Sequence, residues 1–141
     1  MLTDPAGTND LTREIIAAAI DVHRELGPGL LESVYGVCLE HELRQRRLAL
    51  VRQAPVPVFY RGVRLELGYR LDLIVDDAVV VEVKSVEAVA ALHRAQLLTY
   101  LRLTRKAVGL IINFNVPTLK AGISRVINER AIAKPPGCAE G

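Results

Sequence analysis

Three charged residues interrupt two strand-like segments that are otherwise largely aliphatic. Asp72 lies in "YRLDLIV", and Glu82 and Lys84 lie in "VVVEVKS", which begins at residue 79. Because side chains alternate between the two faces of a strand, Glu82 and Lys84 share one face, while three of the four valines in their segment point to the other. We expect the aliphatic faces to form the core and the charged faces to be available for chemistry.

The length of the connection between the two segments decides whether the two acids meet. A two-residue turn would project Asp72 and Glu82 to opposite sides of the sheet. A three-residue connection over 76–78 would place Asp72 directly opposite Glu82, and a bulge or a five-residue loop would have the same effect. A functional interpretation therefore requires an odd-numbered connection.

Facing carboxylates repel each other, and a hard divalent cation such as Mg²⁺ removes the repulsion by taking oxygen ligands. Lys84, two residues after Glu82 on the same face, can stabilise phosphate charge or help to activate a water molecule. This arrangement is typical of phosphodiester hydrolysis. The alternative is that Glu82 and Lys84 simply pair across strands on a solvated face.

The segment "HRAQLLTYL" places Gln96 and Tyr100 one helical turn apart, with His93 a turn earlier. The Gln96 amide could hold a phosphate or a base edge, or it could make an ordinary hydrogen bond between the helix and the sheet. For His93 we favour a structural or exposed position.

The segment "GPGLLESVY" places Gly29, Glu32 and Tyr35 three residues apart on one helical face. A glutamate in the first turn of a helix is favourable at the positive end of the helix dipole, which accounts for Glu32. Glu32 could instead complete the acidic cluster if its helix packs beside the charged faces of the strands.

The rest of the sequence predicts the elements that must position these side chains. Helical patterns cover three ranges, 11–26 with Asp10 as its N-cap, 30–47 and 87–104. Strand patterns cover 49–60, an edge segment because of its two prolines, then 63–75, 79–85 and the doubly buried 107–114. Residues 119–128 fit either a helix or a last strand. The order indicates an α/β (α+β) chain, in which a mixed sheet with an antiparallel meander is flanked by helices after an N-terminal helical pair.

Length and composition favour one globular domain. The chain has 141 residues, half of them apolar, and we expect a domain over 10–130 between a disordered leader, 1–9, and a flexible tail, 131–141. No apolar run approaches the ~18 residues of a membrane span, and no signal peptide is evident, so a cytoplasmic location is expected. Cys38 and Cys138 lack the spacing of a zinc or redox site.

The formal charge of +2 is too small to indicate nucleic-acid binding by itself. Arginines nevertheless cluster in "RQRR" at 44–47 and recur at 52, 61, 64 and 70. A solvated helix end is the favoured interpretation of the cluster, and a surface that contacts backbone phosphates is the alternative.

The motifs together resemble those of the bacterial GxxExxY protein family, which is placed in the PD-(D/E)XK nuclease-like superfamily. The resemblance runs from about residue 11 to 128 and is carried by Gly29-x-x-Glu32-x-x-Tyr35, "YRLDLIV", "VEVKSVE", "AQLLTYLRLT" and "VGLIINFNVPTLKAGISRVIN". It implies a mixed sheet flanked by helices.

The resemblance also implies roles for individual residues. Asp72 and Glu82 are implied to be the metal-binding acids and Lys84 the catalytic lysine. Glu32 matches an acid that many members carry on an N-terminal helix, and Gln96 with Tyr100 matches a Q-x-x-x-Y element of one branch. We further expect the backbone carbonyl of Val83 to be a metal ligand. In the family a proline often precedes the first acid, whereas in this chain Leu71 precedes Asp72.

Three hypotheses for function follow. The leading one is a nuclease dependent on Mg²⁺ or Mn²⁺ that cleaves DNA or a related nucleic acid. The second is a non-catalytic, homo-oligomeric binding or assembly module on the same fold. The third is a metal-dependent phosphohydrolase of small molecules.

Overall fold

A computed structural model describes residues 7–132 and shows the predicted α/β class. The helices within these residues are α1 (Asn9–Leu26), α2 (Glu32–Gln45) and α3 (Ala91–Thr104). The strands are β1 (Leu50–Pro55), β2 (Val58–Tyr60), β3 (Val63–Leu65), β4 (Arg70–Val75), β5 (Val79–Lys84), β6 (Val108–Asn113) and β7 (Ile123–Ile127). Short 3₁₀ helices cover Leu119–Gly122 and Glu129–Ala131. Most of the predicted leader and tail, residues 1–6 and 133–141, lies outside the described residues.

Five strands form one mixed sheet in the order β1-β4-β5-β6-β7, and β2 and β3 form a separate two-stranded sheet. The pair β5 and β6 is parallel, and α3 provides the crossover that a parallel pair requires. The other neighbours are antiparallel. β1, which ends at Pro55, is an edge strand as predicted, because proline cannot donate a hydrogen bond to a further strand.

Apolar side chains cover both faces of the five-stranded sheet. Helices α1 and α2 pack on one face, against a layer that includes Leu73, Val81 and Leu110. Helix α3 packs on the other, where Leu97 belongs to the same cluster as Val80. The expectation that the aliphatic faces form the core is therefore incomplete: α3 also covers the face of β5 that carries charge.

The connection between β4 and β5 has three residues, as the functional interpretation required. The strands pair antiparallel in the register Val75↔Val79, Ile74↔Val80 and Leu73↔Val81. Asp76 and Asp77 in this connection have φ of 50° and 52°. The Asp76 carboxylate accepts the Ala49 N–H (3.0 Å) and the Asp76 N–H donates to the Ala49 carbonyl (2.8 Å), so the turn is tied to the start of β1.

The α1–α2 junction is held by Tyr35. Gly27 and Gly29 adopt φ of 71° and 99°, a region that strongly favours glycine. The buried Tyr35 hydroxyl donates to the Gly27 carbonyl (2.5 Å) and accepts the Leu30 N–H (3.1 Å). Its ring stacks on Phe114 with 4.4 Å between centroids. Tyr35 in the Gly-Glu-Tyr stripe is therefore a structural residue.

Several predicted boundaries are wrong. Helix α1 begins at Asn9, because the Thr8 carbonyl already accepts the Thr12 N–H (2.9 Å), so Asp10 lies in the first turn and is not the N-cap. The single strand predicted from Val63 to Val75 is broken around Gly68, which has φ of 79°. The ambiguous segment 119–128 contains both a 3₁₀ helix and β7.

None of the helices in the described part of the chain combines the length and apolar character that crossing a bilayer demands.

We expect Tyr35→Phe to lower the free energy of unfolding by about 1–3 kcal/mol, because it removes the two hydrogen bonds that the Tyr35 hydroxyl makes with the Gly27 carbonyl and the Leu30 amide. Urea denaturation measures the change. Tyr60→Phe is the matched control, since Tyr60 is exposed, and it should change stability by less than about 0.5 kcal/mol. Equal effects of the two substitutions would contradict the structural role of Tyr35.

Candidate active site

Asp72 lies where β4 and β5 separate. The paired register of the two strands ends at Leu73↔Val81, and continuing it places Asp72 opposite Glu82. At this point the Asp72 carboxylate, through Oδ2, accepts the Val83 N–H at 2.8 Å. A side-chain oxygen therefore takes the place that a strand carbonyl would otherwise occupy, and it fixes the Asp72 carboxylate in the gap between the strands.

Glu82 is a buried acid with an unsatisfied oxygen. The residue is 9% exposed, and its Oε1 is buried without a hydrogen-bond partner among the described residues. The pKa of Glu82 is raised to about 9, chiefly by burial and in addition by a hydrogen bond with the neighbouring Asp72 carboxyl and by the charge of that carboxyl. The positive charge of Lys84 opposes this shift without cancelling it.

A pocket of about 170 Å³ brings together all five residues that were predicted to be catalytic. Its lining includes Asp72, Glu82, Lys84, Gln96 and Tyr100. The two acids and the lysine come from the strands, and the glutamine and tyrosine come from α3, which crosses the same face of the sheet. Glu82 is buried beneath α3, so the interpretation of Glu82 and Lys84 as a solvated cross-strand pair does not fit this environment.

The Gln96 side chain is hydrogen-bonded to Tyr100. Gln96 Nε2 donates to the Tyr100 hydroxyl at 3.0 Å. Burial raises the pKa of Tyr100, and the nearby Glu82 carboxyl adds to that effect. Tyr100 is therefore a protonated hydroxyl at neutral pH, and its own proton remains available to a group in the pocket.

Glu32 lies on the other side of Asp72. A second hollow, of about 290 Å³, is lined by Glu32, Asp72 and Val83 together with Arg52 and other residues. Glu32 Oε2 accepts the Ser85 N–H at 3.1 Å, so the carboxylate connects the start of α2 to the end of β5. Asp72 lines both hollows, whereas Glu32 and Glu82 each line only one of them.

The Val83 carbonyl faces the same gap as Asp72. In an extended strand the N–H and C=O of one residue point to the same side. The Val83 N–H points to Asp72, so its carbonyl points that way too. The Lys84 carbonyl, one residue on, points to β6 and accepts the Phe114 N–H at 2.9 Å, as the alternation requires.

The residues at this gap fit a hard divalent cation. Such ions bind oxygen ligands, and the gap offers the Asp72 and Glu82 carboxylates and the Val83 carbonyl. The orphaned Glu82 oxygen is an acceptor that lacks a positive partner. Within residues 7–132 there is no group of three or more acidic, histidine or cysteine side chains that could hold a metal ion. The fit therefore rests on two acids and a backbone oxygen, with water in the remaining positions.

Three residues around the pocket were not among the predicted site residues. Arg70 lines it, and a signal existed because Arg70 is two residues before Asp72 on the same strand. His93 also lines it, while its Nδ1 accepts the Ala90 N–H (3.1 Å) at the start of α3. Asn113, buried at the end of β6, bonds both backbone groups of Val86 and so holds the loop that follows Lys84.

The arginine cluster at the end of α2 is largely neutralised. Arg44 pairs with Glu40, and Arg46 pairs with both Glu14 and Asp21. These contacts favour the interpretation of "RQRR" as a helix end rather than as a phosphate-binding surface.

We expect the free energy of unfolding of the metal-free protein to fall as pH rises from about 5 to about 9. Between the ordinary value of 4.5 and the folded pKa of about 9, folded Glu82 keeps a proton that the unfolded chain releases. The stabilisation by this proton is therefore fully present below the ordinary pKa of 4.5 and is lost as pH rises through the folded pKa of about 9. Over this range the free energy of unfolding falls by no more than about 1.4 kcal/mol per pH unit. Urea unfolding in EDTA across this range measures the slope. Glu82→Gln is the control and should flatten it, and identical slopes would contradict the assignment.

Comparison with known proteins identifies a family for the chain. The chain matches a family model described as the PD-(D/E)XK nuclease superfamily over residues 9–126, which extends from the start of α1 into β7. Searches of curated proteins and of solved structures give no match. The matched range includes the paired acids on adjacent strands and the lysine two residues after the second acid. The chain therefore belongs to the PD-(D/E)XK nuclease superfamily.

Proposed function

We propose that the protein is a divalent-metal-dependent nuclease that hydrolyses phosphodiester bonds in DNA or a related nucleic acid. The observation that carries the proposal is the convergence of Asp72, Glu82 and Lys84 on one pocket, with a Glu82 oxygen buried and unpaired. Membership of a nuclease superfamily supports both the reaction and the substrate class. A cytoplasmic location is part of the same proposal.

Asp72, Glu82 and the Val83 carbonyl are proposed to hold Mg²⁺ or Mn²⁺. Nucleases of this superfamily generally use divalent metals. A bound cation would supply a Lewis acid that polarises the phosphate and offsets the charge that develops on it. Glu32, whose carboxylate holds the Ser85 amide, is proposed to contribute through water from the opposite side of Asp72.

The other pocket residues are proposed to act on the phosphate and the attacking water. The Lys84 ammonium has no hydrogen bond or ion pair within the described residues, so it is available to a phosphate oxygen or to the water. The Tyr100 hydroxyl accepts from Gln96 and retains its own proton to donate to the substrate. Gln96 thus orients Tyr100, and both orient the phosphodiester.

We further propose that the chain belongs to the GxxExxY family within the superfamily. The structure gives each residue of that motif a separate task that supports this assignment. Gly29 permits the positive φ, Glu32 holds the end of β5, and Tyr35 closes the α1–α2 junction.

We expect Lys84→Ala and Asp72→Ala each to reduce kcat for DNA cleavage in Mg²⁺ or Mn²⁺ by about 100-fold or more. Loss of Lys84 removes charge stabilisation, and loss of Asp72 removes a proposed ligand. Lys120→Ala is the matched control, since Lys120 is exposed and outside the pocket, and it should retain wild-type activity. Equal cleavage by all the variants would eliminate the mechanism.

We also expect Mn²⁺ binding at pH 7 to release about one proton, because Glu82 is protonated without metal and must ionise to become a ligand. Calorimetric titration in two buffers of different ionisation enthalpy measures the release. Glu82→Gln should bind Mn²⁺ more weakly and release no proton. Absence of any Mn²⁺ binding at millimolar concentration would count against the metal site, whatever the activity.

A homo-oligomeric assembly module is the second candidate, and exposed apolar side chains on α2 favour it. Leu31, which precedes α2, is 72% exposed, and Val34 and Val37 are also exposed. Apolar groups of this kind commonly contact a partner. A stable oligomer in light scattering, together with no metal-dependent cleavage, would replace the nuclease proposal with this one.

A further inference from the structure

A ribbon of two strands extends from the sheet beside the pocket. We use "ribbon" for residues 58–70, which comprise β2, the Arg61-Gly62 turn, β3 and the segment up to Arg70. All of its residues except Val58 and Leu65 are exposed. Its exposed large apolar side chains are Phe59, Tyr60, Val63, Leu67 and Tyr69. Because these side chains are exposed, they contribute little to the stability of the hairpin. Their exposure therefore points to a binding surface.

The aromatic residues of the chain are distributed unevenly. The sequence contains four tyrosines, two phenylalanines and no tryptophan. Tyr35 and Phe114 stack in the core. The other four lie on the ribbon or in the pocket: Phe59, Tyr60, Tyr69 and Tyr100. All the phenylalanine and tyrosine rings outside the core are therefore next to the proposed active site or on the ribbon that leads to it.

Arginines accompany the ribbon's rings. The Arg64 guanidinium lies 5.8 Å from the centroid of Phe59, its cross-strand partner, and that of Arg61 lies 5.5 Å from the centroid of Tyr60. Phe59 and Tyr60 are consecutive in a strand, so each face of the ribbon carries one ring with one arginine. The ribbon holds three arginines against a single acid, Glu66, which pairs with Arg64 at 2.6 Å. Its surface is thus both aromatic and positively charged.

The ribbon is continuous with the pocket. The Tyr69 ring lies 5.9 Å from the ring of Tyr100, which lines the pocket. Arg70, the last residue of the ribbon, lines the pocket as well. The Tyr69 carbonyl accepts the Val56 N–H at 2.8 Å, and this bond ties the base of the ribbon to the edge of the sheet.

We propose that the ribbon binds single-stranded nucleic acid and delivers it to the pocket, an inference that rests on the proposed nuclease function. Unpaired bases offer π faces for stacking on exposed rings, and their phosphates complement the arginines. A duplex hides its base faces, so it would use only the charge of the ribbon. A second copy of the chain would bring like charges together, which disfavours self-association through this surface.

Fluorescence anisotropy with a labelled oligonucleotide of about 12 nucleotides tests the proposal, with the same sequence as a duplex for comparison. The full chain carries Lys84→Ala and is kept in EDTA so that no cleavage occurs. We expect Phe59→Leu with Tyr60→Leu to weaken single-strand binding about tenfold or more and to change duplex binding little. The matched control is Phe59→Tyr with Tyr60→Phe, which retains both rings and should retain the affinity.

The outcomes separate the ribbon from the chemistry. Failure to bind single strands, no preference over duplex, or equal affinity of the leucine and aromatic pairs would overturn the ribbon proposal. A change in oligomeric state in the leucine pair would also overturn it, in favour of contact between copies of the chain. With Lys84 intact and Mg²⁺ or Mn²⁺ in place of EDTA, hydrolysis of bis(4-nitrophenyl) phosphate should be unaffected by the leucine pair, because that substrate is too small to reach the ribbon. If the wild-type protein does not hydrolyse this substrate but binds single strands in a way that depends on the two rings, the nuclease proposal is rejected. The role of the ribbon in binding single strands is then still supported.

Discussion

The hydrogen bond from the Val83 amide to the Asp72 carboxylate determines how the site is built. Up to Leu73↔Val81 the two strands pair through their backbones, and beyond that point a side chain satisfies the buried amide. One contact thus has three effects: it lets the strands separate, it fixes an acid next to Glu82, and it leaves the Val83 carbonyl facing the gap. A side chain without an acceptor at position 72 would leave the Val83 amide unpaired, which would lower the free energy of unfolding by about 1–3 kcal/mol.

Burial then sets the chemistry of Glu82. Helix α3 covers its face of β5, and water that would solvate a carboxylate is excluded. Burial and the Asp72 carboxyl together outweigh the opposing charge of Lys84, because the pKa of Glu82 rises to about 9 rather than falling. Lys84 alone therefore does not neutralise the acid pair. A proton fulfils that task in the absence of metal, and a divalent cation would do so more strongly while leaving the lysine for the substrate.

Local periodicity predicted the two halves of the pocket separately, and only the family resemblance joined them. A period of two along β4 and β5 put Asp72, Glu82 and Lys84 on one side once the connection had three residues, and helical spacing put Gln96 beside Tyr100. Periodicity does not reveal which face of a sheet a helix covers. Helix α2 packs on the aliphatic face, so Glu32 approaches Asp72 from the opposite side to Glu82. The break around Gly68 was missed because alternation continues through it, and the ribbon was missed with it.

The formal net charge does not show how unevenly the arginines are paired with acids. Acids on α1 and α2 pair with the arginines at 44 and 46, and Glu40 also contacts Arg52 at 3.4 Å. On the ribbon a single glutamate faces three arginines, so a formal charge of +2 includes a positive surface beside the pocket. That position matters because the Asp72 carboxylate would repel an approaching phosphate backbone. Arg70 and Lys84 line the pocket together with Asp72 and Glu82, so attraction of the substrate and catalysis would depend on the same pocket.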